Sequence, residues 1–256
     1  MNEENLINYY NKFNEDKRLT RRHGQVEFVT TIKYIEKILE KIDNPKILDI
    51  GAGSGRYSFY LVEKGYDVTA IELVKHNLRM IEEKSKLIKA YQGNAIDLSR
   101  FDDNTFDLVL LFGPMYHLIN EEDQLKALSE AKRVSKGVIM VAYIMNDYGI
   151  ITHGFKEKAI KESIKNNLVD SNYHITPKKT DLYNYVRLED VDELNKKAKL
   201  KRKLIFTPDG PANYIRPYLN SLDHEEFNLF LDYHFKTCER MDMMGASAHI
   251  VDIIKK

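Results

Sequence analysis

The sequence is short of several things, and each shortage removes a class of protein. Cys238 is the one cysteine among 256 residues, so neither an internal disulfide nor a thiolate metal cluster can form within the chain, and a reducing compartment is expected. Neither sign of charge is in excess: Lys and Arg number 39, as do Asp and Glu, which leaves no overall field to draw the chain to nucleic acid or an anionic membrane. No apolar run approaches the roughly 18 residues of a membrane span. The opening MNEENLINYY lacks the basic-then-apolar order of a signal peptide. His153, His174, His224, His234 and His249 show no metal-ligand spacing. The expectation is a cytoplasmic protein with neither a metal centre nor a membrane or nucleic-acid partner. Its 43% hydrophobic residues can fill the core of one large domain.

The most informative stretch is Lys46 to Ser58, KILDIGAGSGRYS. Ile47, Leu48 and Ile50 form a short apolar run that stops at Gly51, Gly53 and Gly55, the pattern of a buried strand feeding a tight turn. A ligand can touch backbone there because no Cβ intervenes. A dinucleotide fingerprint needs its third glycine three positions after the second, and that position holds Arg56. Asp49 also brings a carboxylate close to where a pyrophosphate would lie. A cationic ligand suits the turn better.

LDIGAGSG resembles the first motif of the class I S-adenosylmethionine-dependent methyltransferases, whose glycine turn holds the methionine part of a sulfonium cofactor without phosphates. The resemblance implies S-adenosylmethionine as cofactor, with Asp49, Gly51, Ala52, Gly53 and Gly55 around it. Tyr66 to Ile71 reads as a second strand ending in Glu72, with Leu73 beside it. Glu72 lies about 20 residues beyond the glycine turn, where a carboxylate can accept hydrogen bonds from both ribose hydroxyls. The stretch GNAIDL after the third strand matches the segment that wraps adenine in the family, which implies Ala95 against the ring. The acidic place just before it holds Asn94, and Asp97 is the second candidate.

The rest of the chain reads as alternating elements. Asn2 to Asp16 carries Leu6, Ile7, Tyr9, Tyr10 and Phe13 at helical spacing, and Gln25 to Ile42 has one apolar face of period near 3.6. Helices follow at Arg56 to Lys64, Lys75 to Lys84 and Glu121 to Val134, and strands at Leu87 to Gln92, Phe106 to Phe112 and Gly137 to Ile144. Five alternations make a doubly wound α/β sheet. Leu200 to Thr207 is a sixth strand and Ala248 to Ile254 a seventh, which the resemblance implies is antiparallel beside the fifth. The expected fold is a seven-stranded Rossmann-like sheet in a single domain spanning 1–256, with a core of 24–144, 198–207 and 246–256. The segments 1–23, 145–190 and 208–245 form a helical lid, because the connections leaving strands five and six both start on the ligand side. Helices are expected within them at Phe155 to Leu168 and His224 to Lys236.

FDLVLLFGPMYHL is similar to the family's fourth motif, which implies that Phe112, Gly113, Tyr116 and His117 border the methyl-transfer centre. His117, with an ordinary pKa near neutrality, is the candidate base, and Tyr116 the residue that orients an acceptor. The alternative for both is local capping and packing. Arg22 could reach the cofactor's carboxylate or lie in a solvated basic turn. Arg216 offers a planar fork for a carboxylate or phosphate, or a surface salt bridge. Tyr173, Tyr183, Tyr185, Tyr214, Tyr218 and Tyr233 could build an aromatic box in the lid or pack the core. The basic run Lys196 to Lys203 reads as a helix end and solvated strand edge rather than an RNA patch.

Methyl transfer to oxygen, nitrogen or carbon of a small molecule is the leading expectation. An RNA methyltransferase, a nicotinamide-dependent oxidoreductase and a non-catalytic cofactor-binding protein are the rivals.

Overall fold

A computed structural model of the chain describes residue 7, residues 21–178 and residues 180–256. The helix expected at Asn2 to Asp16 lies outside the described residues apart from Ile7, and so does most of the first proposed lid segment.

Helix α1 (Arg22–Leu39) buries Val26, Ile32, Ile35, Ile38 and Leu39, the stripe that its periodicity dictates. The strands are β1 (Lys46–Ile50), β2 (Asp67–Glu72), β3 (Lys89–Gln92), β4 (Phe106–Leu111), β5 (Ser135–Ile144), β6 (Lys201–Phe206) and β7 (His249–Lys255). Between them stand α2 (Arg56–Glu63), α3 (Lys75–Lys84), α4 (Glu121–Val134), α5 (Leu188–Lys197) and α6 (His224–Thr237). The start of α4 is fixed by Asn120, whose side chain accepts from the Asp123 amide at 2.8 Å, satisfying one of the amides a helix start leaves unpaired.

The sheet runs β3-β2-β1-β4-β5-β7-β6. β7 is antiparallel to both β5 and β6, so β6 points the same way as β1. Central strands β1 and β4 are buried along nearly their whole length, as sequences apolar on both faces require. One core cluster joins β4, β5, α4 and α5, and a second joins β1 and the other sheet face to α1.

The order reverses between β1, whose next neighbour in sequence is β2, and β4. Ligands of open parallel sheets sit outside the carboxyl ends of strands at such a point. Here the two strand-end turns approach closely. Gly51 has φ +72°, and a Cβ on it would lie 2.6 Å from Pro114 Cδ; one on Gly113 would lie 3.0 Å from the Gly51 carbonyl oxygen. Gly51→Ala should therefore cost about 2 kcal/mol or more, from left-handed strain plus overpacking. Chemical denaturation of the variant measures the loss.

The two long connections begin at this same edge. After β5, Asn146–Gly149 is a single helical turn that runs into a π-helical segment, Ile150–Lys156. The continuous helix expected at Phe155 to Leu168 is shortened to Ile160–Lys165, because Lys158 adopts φ +60° and breaks it. The stretch 182–186 is then pinned over the strand ends. Asn184 donates its amide to the Tyr116 carbonyl at 2.6 Å, Val186 to the Ile144 carbonyl at 2.9 Å and Asn146 to the Val186 carbonyl at 2.8 Å. After β6, Arg216–Ser221 and α6 pack back on α1. The α6 boundaries, His224–Thr237, agree with the expectation from sequence.

The basic run lies at the end of α5 and on edge strand β6. Lys197 pairs with Glu121 at 2.6 Å and Glu193 at 2.7 Å, and Arg202 with Asp192 and Asp252. Lys197 and Arg202, two of its six cations, are thus met by carboxylates among the described residues.

Candidate functional site

A cavity of about 420 Å³ opens at the carboxyl ends of β1, β2 and β4, within the range of small-molecule sites. Gly51, Ala52, Gly53, Asp49, Glu72, Leu73, Asn94, Ala95, Phe112, Gly113, Tyr116 and His117 all line it. Twelve of the fifteen residues singled out in the sequence thus converge on one volume. Gly53 is the opening in the wall: its φ is +57° and nothing lies within 4 Å of where its Cβ would be, so backbone is offered directly to a ligand.

Two buried carboxylates face that volume. Glu72 Oε2 accepts from the Gly53 amide at 2.7 Å and Oε1 from the Val74 amide at 2.8 Å. These bonds lock the glycine turn to the end of β2 and fix both oxygens. Burial pushes the Glu72 carboxyl up to about 7, against the lowering effect of those amides. Asp49 accepts from the Ser58 hydroxyl at 2.6 Å, and burial pushes it up to about 6 despite that bond. Two desolvated carboxylates close enough in space for the Asp49 charge to raise Glu72 would be relieved by a ligand that brings hydroxyl donors to one and positive charge to the other. Arg56 completes this end: its guanidinium lies 4.7 Å from the Phe28 ring centroid, and its side chain lines the cavity where a dinucleotide turn would have no side chain.

The other end of the cavity is aromatic. Tyr57, Tyr116, Tyr148, Tyr183 and Tyr185 line it, with His117, His153, Asn213, Arg216 and His249. Tyr183 and Tyr185 come from the first long connection as expected, whereas Tyr173, Tyr218 and Tyr233 are exposed and Tyr214 packs edge-on against Tyr148 at 5.5 Å. Arg216 forms no surface salt bridge among the described residues. It donates to Asn213 at 2.8 Å and to the Tyr148 hydroxyl at 2.7 Å at the rim of the cavity.

Four sequence expectations need correction. The His117 ring is buried, and desolvation pushes its pKa down to about 4, against the raising effect of the Leu182 carbonyl. Nδ1–H donates to that carbonyl at 2.8 Å, so His117 is a neutral ring with its lone pair on Nε2, and not a base poised near neutrality. Arg22 is turned away from the cavity: it donates to the Asp223 carbonyl at 2.9 Å and stands 5.4 Å from the Phe227 ring centroid, because α1 meets the α6 region at its first turn. Asp97 is exposed and accepts from the Ser99 amide at 3.1 Å in a local turn, which leaves Asn94 as the polar side chain on the cavity wall. Gly55 starts α2, and the open side of its backbone packs on Ile81 and Phe59 rather than on the cavity.

Sequence reading missed Glu27, Tyr148, Asp209, Asn213 and His249. Asp209 Oδ2 accepts from His249 Nδ1–H at 2.7 Å, and Oδ1 from the His249 amide at 3.1 Å. Glu27 Oε2 lies 4.0 Å from the same ring nitrogen. No local spacing marks these residues, since they come from α1, the turn after β5, the segment after β6 and the start of β7.

Comparison with known proteins agrees with this geometry. A family profile described as a methyltransferase domain matches residues 48–141, from β1 through most of β5. The chain is 26% identical over 202 residues to the ubiquinone biosynthesis O-methyltransferase of Rickettsia typhi, covering 71% of this chain and 81% of that protein. It is 26% identical over 132 residues to the glycine/sarcosine N-methyltransferase of Aphanothece halophytica. That match spans about half of each chain, 49% and 50%. A solved S-adenosylmethionine-dependent methyltransferase from Methanosarcina mazei superimposes with a TM-score of 0.58 over 87% of this chain and 96% of its own, at 16% identity, a likeness of fold.

Proposed function

The chain belongs to the class I S-adenosylmethionine-dependent methyltransferases, and from that premise we propose that it methylates a small-molecule acceptor inside a covered pocket. The observation that carries this reading is the single cavity running from the Glu72 and Asp49 carboxylates to the aromatic chamber.

The donor end fits the cofactor. Glu72 would take the ribose hydroxyls, since its two carboxylate oxygens offer more lone pairs than the Gly53, Val74 and Asn77 bonds use. Asp49 would lie toward the positive charge, the Gly51–Ala52–Gly53 backbone would cradle the methionine part, and Leu73, Asn94 and Ala95 would border the adenine. When bound, S-adenosylmethionine supplies a methyl group already activated by its sulfonium.

The protein's own task is to align the acceptor, exclude water and accept a proton where the acceptor carries one. Phe112, Gly113, Tyr116 and His117 wall the transfer centre in this reading, and His117 holds the acceptor through hydrogen bonding. Segments 145–190 and 208–245 act as the lid, since Tyr148, Tyr183, Tyr185 and Asn213 come from them and are fastened to the strand ends. A cavity of this size, lined by side chains from loops, suits a small acceptor rather than RNA.

Titration calorimetry on the full chain tests the reading. Micromolar binding of S-adenosylmethionine and S-adenosylhomocysteine, without binding of NAD, is the expected result. Incorporation of tritiated methyl into a panel of phenols, carboxylic acids and amines should then reveal the acceptor class. Absence of S-adenosylmethionine binding would overturn the proposal, and binding with no transfer to any acceptor would favour a non-catalytic role.

A further inference from the structure

We infer that His249, oriented by Asp209, is the catalytic base of this site, and that the acceptor accordingly bears its proton on the oxygen or nitrogen that is methylated. The inference rests on the methyltransferase reading above and adds the residue that accepts the proton.

The pair is a product of topology. β6 and β7 are antiparallel neighbours, so the residues just past the end of β6 face those at the start of β7. Asp209 and His249 meet there although some 40 positions apart in sequence. Asp209 is fully buried, and four donors converge on its two oxygens. The Ser247 hydroxyl and the His249 amide take Oδ1, while Asn213 Nδ2 and His249 Nδ1 take Oδ2. With both oxygens doubly used, the carboxylate has a single orientation toward the ring.

Holding Nδ1 as a donor puts the neutral ring's lone pair on Nε2. The ring lines the cavity, with centroids 5.6 Å from Tyr116 and 6.5 Å from Tyr148. A carboxylate behind the imidazole also stabilises the imidazolium that forms when a proton arrives. Burial alone would raise the Asp209 carboxyl, but the His249 charge and the donors around it hold it below the ordinary carboxylate range.

Glu27, Asp209 and His249 offer ligand atoms within 4.8 Å of one another, which raises the question of a metal. A cation would have to displace the Nδ1 proton and compete with the four donors already on Asp209, so a proton-handling pair is the better use of these groups. His117 is the weaker base of the two sites, since burial pushes its pKa down to about 4. Among the described residues, the charged and titratable groups near the His249 ring include Glu27 from α1, Asp209 just past β6, Tyr116 after β4 and Tyr148 after β5, with Tyr214 close enough to feel the Asp209 charge. His234 of α6 is bonded to the Pro208 carbonyl, and burial holds its pKa down against the raising effect of the Asp209 charge.

In the step, the acceptor's O–H or N–H proton passes to His249 Nε2, the bonding pair stays on the heteroatom, and the ring later gives the proton to solvent.

The first measurement needs no acceptor. Long-range ¹⁵N NMR on full-length protein labelled at histidine, with His249 assigned from H249Q, should show a neutral Nδ1–H ring at pH 8. D209N should abolish that tautomer preference. A ring still doubly protonated at pH 8, an Nε2–H tautomer, or a ring indifferent to D209N would overturn the inference. The second measurement follows turnover of an O–H or N–H acceptor from the panel, at saturating cofactor. H249Q should lower kcat by 10²-fold or more with the S-adenosylmethionine Kd and circular dichroism unchanged, and D209N should lower kcat and change the shape of the pH–rate profile. Wild-type kcat in H249Q, or activity abolished by EDTA and restored by a divalent cation, would overturn it. Cofactor binding by calorimetry separates failure of this inference from failure of the methyltransferase reading.

Discussion

Glu72→Gln should raise the Kd for S-adenosylmethionine about 10- to 100-fold at pH 8. Hydrogen bonds to a charged group are each worth roughly 1.5–3 kcal/mol, and about 1.4 kcal/mol is tenfold in affinity. The amide keeps one acceptor oxygen, so either the Gly53 or the Val74 amide must face an NH₂ group where it now meets carboxylate oxygen at 2.7 or 2.8 Å. The glycine turn would loosen as the ribose contact weakens. In the unaltered protein the affinity should itself depend on pH. Glu72 is held up at about 7 and Asp49 at about 6, and the cofactor favours both in ionised form. Affinity should rise from pH 5 to 8 and level off above about 7, with protons released on binding at pH 6. Calorimetry in two buffers of different ionisation enthalpy measures both effects, and a flat profile would contradict the assignment of Glu72.

Asp49→Asn should have opposite effects on binding and stability. In the folded, ligand-free protein the Asp49 carboxyl is raised from 3.8 to about 6, so the folded state holds its proton more tightly than the unfolded chain. The penalty of the buried charge is absent below about pH 4, grows through pH 6 and is complete above it. That rise corresponds to about 2–3 kcal/mol, so the variant should be more stable than the parent by about 1–3 kcal/mol at pH 8, with the difference vanishing toward pH 4. The Ser58 hydroxyl, 2.6 Å from Asp49, can still donate to the amide oxygen. Affinity for S-adenosylmethionine should fall about tenfold or more, because a positive charge on the ligand loses its partner. A larger loss for S-adenosylmethionine than for S-adenosylhomocysteine would assign Asp49 to the sulfonium, and an equal loss to the amino group. Thermal melts of both proteins at pH 5 and 8, with calorimetry at pH 8, provide the comparison. Unchanged affinity would remove Asp49 from the site.

The core of the fold was legible because its signals are local. Lys75–Lys84 and Glu121–Val134 form the helices expected at those positions, and FDLVLL is the doubly buried strand its unbroken apolar run requires. Helix α1 begins at Arg22 rather than Gln25, whose amide already bonds to the Arg21 carbonyl, and ends at Leu39 rather than Ile42, because the Lys41 and Ile42 amides bond three residues back in a turn. β5 begins at Ser135, before Gly137, because pairing with β4 already engages Ser135 opposite Phe106. Pairing of that kind leaves no trace in a single sequence. The helix expected at Phe155 to Leu168 was overextended for a similar reason: Lys158 in a left-handed conformation is not a glycine and does not announce itself.

By itself the sequence determined the half of the cavity proposed to hold the donor. Its features there, the glycine turn, Asp49, Glu72 and the segment after β4, sit at strand ends, and a strand end is fixed by short-range periodicity and turn chemistry. Only the tertiary structure decided the half proposed for the acceptor. It buried His117 and so lowered its basicity, turned Arg22 away, and brought Asp209 to His249 across two antiparallel strands with Glu27 beside them. Burial and the meeting of distant segments depend on how the whole chain packs, and no spacing within the sequence encodes either.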